Sequence, residues 1–187
     1  MFIFTLLLLL STSILNAQNW TCDNRYEQEW SITQTKDSQV LTLLQTKAHG
    51  SHFNTCYTRA NFLNGTISLK FKANSGREDQ GGGIIWRVID ADNYYIVRYN
   101  PLEDNLTYYY VKDGYRHFQK NINVVLSKKQ WHTLQVIQNK AHYSISLDNK
   151  KMLEGNNHIF TKAGGVGVWS KADAKTSFTD ISIQKLQ

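Results

Sequence analysis

The chain has 187 residues, 12% of them aromatic, and a formal net charge of +6. That length suits one domain. The basic residues are scattered, with the densest pairs, Lys128–Lys129 and Lys150–Lys151, at expected turns, so there is no basic stripe of the kind nucleic acid requires. Ser-His-Asp, P-loop and dinucleotide fingerprints are absent as well.

Residues 1–17, MFIFTLLLLLSTSILNA, form an apolar run ending in the small Ala17. They read as a secretory signal cleaved before Gln18, and the run is too short for a permanent membrane span. The expectation is an exported chain, secreted or periplasmic, with residues 18–187 as one domain and no stable membrane insertion. No small-residue lipobox precedes Cys22. Cys22 and Cys56 are the only cysteines, and in an exported protein two cysteines most simply pair. His49 and His52 stand near Cys56, but no fourth ligand for zinc is evident. Asn19, Asn64 and Asn105 each open a glycosylation sequon.

Short strands follow one another. Residues 40–45 and 55–62 are apolar enough for two, and Asn64-Gly65 makes a turn. Over 66–72, Ile67, Leu69 and Phe71 alternate with Thr66, Ser68, Lys70 and Lys72, as in an ordinary half-buried strand. A charged, glycine-rich loop over 74–83 leads to residues 84–89, 94–100 and 106–112, a three-stranded meander. Asp113-Gly114 signals a hairpin that returns residues 115–120, with 122–126 continuing apolar. Residues 131–138, 142–148, 151–154, 165–170 and 178–185 complete the set. No stretch holds a capped helical period. Many short strands with turn signals between them predict an all-β sandwich or jelly roll of two antiparallel sheets, with 66–72 and 142–148 in one sheet and the meander in the other.

The meander is the informative part. Residues 81–110 hold one Trp, six Tyr and two Arg. Strand side chains alternate between faces, which groups Ile84, Trp86 and Val88 against Ile85, Arg87 and Ile89. The same rule sets Tyr95, Val97 and Tyr99 against Tyr94, Ile96, Arg98 and Asn100, and Leu106, Tyr108 and Tyr110 against Thr107, Tyr109 and Val111. Neither face is simply polar, so one face belongs to the core and the other lies under something else. Aromatic rings beside Arg and Asn suit a groove for a polar, ring-shaped ligand such as a sugar, and equally suit a core with a covered second face.

These residues also carry a resemblance. GGGIIWRVIDADNYYIVRYNPLEDNLTYYYVKDGYRHF, then WHTLQVI, DNKK and GGVGVWSKADAKTSFTDISI, resemble the concanavalin A-like jelly roll of laminin-G-like and glucanase-like domains. Within that group the chain is most similar to the bacterial family named for 3-keto-disaccharide hydrolase activity, over roughly residues 30–186. The most specific part is Trp86-Arg87 with Asp92-Asn93-Tyr94-Tyr95, Arg98, Asn100, Glu103 and Asn105. The resemblance implies a secreted domain that binds or processes saccharides. The family activity is cleavage of glycosides already oxidised at the 3-position. The ExDxxE motif of glucanases with this fold is missing.

Glycosidases need two carboxyl groups across the scissile bond, and Asp90, Asp92, Glu103 and Asp104 are the acids near the meander. Glu103 and Asp104 follow Asn100 in a loop that can reach the groove, which makes Glu103 the candidate catalytic residue; solvated turn acids are the alternative. A ketosugar elimination needs a base, for which His117 or His132 is available, and a charge to stabilise the enolate. The candidate ligand-binding set is Trp86, Arg87, Tyr94, Tyr95, Arg98, Asn100, Asn105 and Tyr108, with aromatic rings stacking sugar faces and Arg and Asn bonding hydroxyl or acidic groups. Ion pairing with Asp92, Glu103 or Asp104 is the alternative use of the arginines. Trp169 and Lys171 can form one wall of the groove, although a Trp in a GVW strand usually belongs to a core. No cofactor is required; calcium is possible at Asp90, Asp92 and Asn93. The expected partner is a saccharide or glycoconjugate, and a laminin-G-like protein-binding role competes with it.

Overall fold

A computed structural model describes residues 13–14, 19–36 and 38–186. Apart from Ser13–Ile14, the expected leader over 1–17 lies outside the described residues. The chain forms β1 (Ser13–Ile14), β2 (Thr21–Cys22), β3 (Glu29–Gln34), β4 (Gln39–Gln45), β5 (Phe53–Phe62), β6 (Gly65–Ser75), β7 (Gly82–Asp90) and β8 (Asn93–Asn100). It continues with β9 (Asn105–Lys112), β10 (Tyr115–Asn123), β11 (His132–Asn139), β12 (His142–Leu147), β13 (Lys150–Asn156), β14 (Gly164–Lys171) and β15 (Lys175–Lys185). Among the described residues no helix is long and apolar enough to cross a membrane.

Two antiparallel sheets result. The first runs β13, β12, β11, β6, β15, β4, β3, with β1 pairing β15; the second runs β10, β9, β8, β7, β14, β5, β2. The alternation of β6 and β12 places Ile67, Leu69, Phe71, Tyr143, Ile145 and Leu147 inward, as their pattern predicts. They meet Ile84, Trp86, Tyr95, Val97, Tyr99, Leu106 and Tyr108 of the meander, and this inter-sheet layer is the main core. The other face of the meander carries a second apolar layer of Ile85, Val88, Tyr94, Ile96, Tyr109, Val111 and Trp169, with Phe53 and Tyr57 packed on it. The side chains of both layers are buried, which is why neither face reads as polar.

The expected strands omit β2, where residues 20–28 carry no period, and β3, where Trp30 and Ile32 do alternate with Ser31 and Thr33. They are held from outside. β2 pairs with β5 at Thr21↔Tyr57 and Cys22↔Cys56, where the expected disulfide forms, and β3 pairs with β4. Residues 124–126 do not continue a strand. The amide of Leu126 instead donates to the Tyr99 hydroxyl at 3.0 Å.

Three expected groove residues belong to the main core instead. Trp86, Tyr95 and Tyr108 are fully buried between the sheets. Trp86 Nε1 donates to Gln138 Oε1 at 2.9 Å. The Tyr95 hydroxyl donates to Asn157 Oδ1 and accepts from the Phe160 amide, and Tyr108 stacks on Trp86 at 5.9 Å. Strand parity sends them inward with Ile84 and Val97, so they offer no free ring to a ligand. Arg87 is the fourth correction. The pairing of β7 with β8 is interrupted between Trp86 and Asp90, and Arg87 has φ 48°. This bulge takes Arg87 out of the alternation, so it does not share a face with Arg98.

Candidate functional site

The outer face of β8, β9 and β10 holds an open pocket of about 460 Å³ lined by Arg98, Asn105, Thr107, Tyr109, Arg116, Phe118 and Asn121. Strand pairing assembles it: Arg98 faces Thr107, and on β10 Phe118 pairs with Tyr109 while Asn121 pairs with Thr107. A register shift between Phe118 and Lys120 reverses the parity of β10. It is what brings Asn121, rather than Lys120, onto the pocket face.

Arg98 is the base of the pocket. Its strand can pack closely against β7 because residue 83 is glycine; a Cβ there would stand 2.1 Å from the Val97 carbonyl oxygen and 2.9 Å from Arg98 Cα. The guanidinium donates to Asn105 Oδ1 at 2.5 Å and to Glu103 Oε2 at 2.7 Å, and Asn105 Nδ2 donates to the same carboxylate oxygen at 3.1 Å. Burial by itself raises the Glu103 carboxyl, but the Arg98 charge and these hydrogen bonds outweigh it and hold Glu103 below the usual range. Glu103 therefore orients Arg98. The chain turns here through Asn100, whose Oδ1 accepts from the Leu102 amide at 3.0 Å.

Tyr109 forms the inner wall. It is 1% exposed, and its hydroxyl has no protein hydrogen-bond partner, as is also true of the Tyr94 hydroxyl, Trp169 Nε1 and Asn100 Nδ2 on the same face. Tyr94 lies beside Trp169 and Tyr109 beside Arg116, so these polar groups face one another within the layer. Burial pushes both tyrosine hydroxyls well above their ordinary value. The Arg116 guanidinium carbon lies 5.7 Å from the Tyr109 ring centroid and 5.9 Å from that of Phe53, a cation–π arrangement over ring faces. Beyond Tyr109, Phe118 keeps 65% of its surface exposed.

A second charge pair flanks the site. Asp79 is buried, accepts from the Gly81 amide at 2.5 Å and lies 3.4 Å from Lys171 Nζ. Burial raises its carboxyl, offset in part by Gly81, Lys171 and Arg98. Trp169 is buried against Phe53 and Tyr109, so it belongs to the outer apolar layer and forms no open wall. Tyr94 is likewise fully buried in that layer and offers no stacking surface.

The remaining candidates lie apart from the pocket. His117 stacks on Tyr110 at 4.6 Å, on the face opposite Tyr109. His132 joins Asp148 Oδ2 at 2.7 Å and Ser127 O at 2.8 Å in the other sheet. Asp90 accepts from the Asp92 amide and the Asn93 side chain, and Asp92 receives Arg25 at 2.8 Å. Among the described residues no His, Cys, Asp and Glu side chains cluster in a metal-holding arrangement. A cleft of about 510 Å³ at the sheet edge is lined by Asn19, Thr21, Thr58 and Arg59, with no aromatic ring.

Arg98, Asn105 and Glu103, candidates from the sequence, meet through their side chains, whereas Thr107, Tyr109, Arg116, Phe118 and Asn121 are not singled out there as a set. A signal for Arg116 and Phe118 was present. Asp113-Gly114 fixes the hairpin, and counting back from it pairs Phe118 with Tyr109.

Two antiparallel sheets in this order make the concanavalin A-like jelly-roll fold. Solved structures with the same fold include a carbohydrate-binding module, CBM66, from Bacillus subtilis, at 15% identity over 91% of this chain and 98% of that one, TM-score 0.74. Another is a Bacillus subtilis protein of unknown function with a galectin-like fold, at 12% identity over 89% of each chain, TM-score 0.66. A third is a Bacillus licheniformis beta-glucanase, at 10% identity over 94% and 95% of the two chains, TM-score 0.64. No protein-family model matches the chain and no curated protein does.

Proposed function

We propose that the chain is an exported saccharide-binding module whose ligand lies in the pocket between Arg98 and Phe118. The carrying observation is the exposed Phe118 ring standing in register beside the buried Tyr109, at the rim of a pocket otherwise lined by Asn, Thr and Arg. One apolar platform beside convergent amides, hydroxyls and guanidinium matches the two sides of a sugar ring, whose C–H face is apolar and whose edge is hydroxylated. In this reading Phe118 stacks the ring and Asn105, Thr107 and Asn121 exchange hydrogen bonds with hydroxyls. Arg98 donates from a geometry fixed by Glu103, and the buried Tyr109 ring walls the pocket from behind. Jelly-roll neighbours named as a carbohydrate-binding module and a glucanase support the ligand class. The apolar leader and the Cys22–Cys56 disulfide support export.

Cleavage of 3-keto-glycosides is the second reading, favoured by Glu103 at the pocket edge. Two carboxyl groups set across a bond are the usual requirement, and the pocket lining supplies none beyond this neighbouring Glu103.

The test is titration of the purified chain with plain glycans and with 3-keto-glucosides, with and without calcium. Binding without turnover that Phe118→Ala and Arg98→Ala abolish in folded protein is the expected result. Turnover lost in Glu103→Gln would make the chain an enzyme. No binding to any glycan would refute the saccharide reading and leave protein adhesion.

A further inference from the structure

Toward the end of β7 the bulge drives Arg87 into the gap between the sheets, where it is 2% exposed. All its hydrogen bonds go to main-chain carbonyls. Nε and Nη2 donate to Leu63 O at 3.1 and 2.8 Å, Nη2 also donates to Lys140 O at 2.7 Å, and Nη1 donates to Phe160 O at 2.5 Å. The guanidinium thus ties the β5–β6, β11–β12 and β13–β14 connections together. It does so as a cation without an anion. Among the described residues no carboxylate forms an ion pair with Arg87. Buried charges are normally paired, because carbonyl dipoles offset only part of the lost hydration.

The same guanidinium lines a pocket of about 280 Å³ with Leu63, Asn64, Lys140, Ala141, Asn157, His158 and Thr161. Two further basic residues stand in that lining and no acidic one does. Four of the five N–H groups of the guanidinium make the bonds above and the Tyr95 hydroxyl lies beside it, so its charge stays without a counter-ion. The volume is several times the roughly 30 Å³ share of one water molecule, so a polyatomic anion fits.

We infer that this pocket is an oxyanion site, distinct from the saccharide pocket, that takes a sulfate, phosphate or carboxylate group against Arg87. Lys140 and His158 are exposed in that lining, and Asn64 and Thr161 supply neutral donors. Leu63 and Ala141 leave room for the body of a small ligand that carries the charge. The anion completes the pairing of Arg87 and thereby braces three connections at once, so occupancy raises the stability of that end of the sandwich.

The experiment follows thermal unfolding and isothermal titration of the full chain with sodium sulfate, sodium phosphate and a sulfated monosaccharide, each against sodium chloride at matched ionic strength. Saturable binding with a raised unfolding midpoint is expected. Lys140→Gln with His158→Gln leaves the Arg87 staple untouched, so the fold is kept, and should weaken binding about tenfold, the equivalent of 1.4 kcal/mol. Response to the inorganic ions places the site with free anions; response to the sulfated sugar alone places it with sulfated sugars. The inference is overturned by a midpoint no higher than in chloride, or by binding that the double variant retains in full.

Discussion

Replacing Tyr109 by Phe removes one buried oxygen and nothing else from the wall of the pocket. The hydroxyl has no protein partner, while its ring is held between Trp169 at 6.1 Å and Arg116. An unpaired buried hydroxyl costs about 1–3 kcal/mol relative to water, so deleting it should leave the free protein as stable as before or more stable, by about 1 kcal/mol. Binding should hardly change, because the hydroxyl oxygen is sealed from the pocket while the ring that walls it stays in place. Urea unfolding gives the first quantity and titration with the glycan that binds wild type gives the second. A Tyr109→Phe protein that is clearly less stable would mean the hydroxyl is already satisfied in the free state. A clear loss of affinity would mean the hydroxyl does reach the ligand, and the reading of Tyr109 as a sealed wall would have to be abandoned.

Trp86→Ala should lower stability by about 3–5 kcal/mol, read from the shift of the urea midpoint, because Trp86 fills the inter-sheet core; a near-neutral result would return Trp86 to the surface. Glu103→Gln should lower stability at neutral pH by about 1 kcal/mol, a value limited by the partial exposure of the carboxylate. Since folding lowers the Glu103 carboxyl, its contribution is present above the unfolded value near 4.5 and is lost as pH falls through the folded one. Unfolding curves of the two proteins should accordingly converge in acid and separate toward neutrality, and a gap that does not depend on pH would contradict the pairing with Arg98. Converting Cys22 and Cys56 together to Ala opens a 34-residue separation and should lower stability by on the order of 4 kcal/mol, measured against wild type under oxidising conditions.

The sequence by itself determined the class of fold. Period-two alternation over β6 and β12, turn signals such as Asp113-Gly114 and the absence of any helical period fix an all-β sandwich, because these are local properties of the chain. It also showed that neither face of β7, β8 and β9 is simply polar, since Tyr94-Tyr95 and Ile84-Ile85 put apolar rings and chains on both, and it left a groove and a covered face equally open. Which cover lies on which face was decided only in three dimensions. Trp86, Tyr95 and Tyr108 read as well for a sugar platform as for a core. The choice came from Val136, Tyr143 and Ile145 arriving from strands distant in the chain. Two bulges then overrode simple counting. One carried Arg87 away from Arg98 and into the gap between the sheets, and the other turned Asn121 toward Thr107. A bulge adds one residue to one strand and reverses the parity of everything beyond it. It leaves little mark in a single sequence, because its register is set by the partner strand.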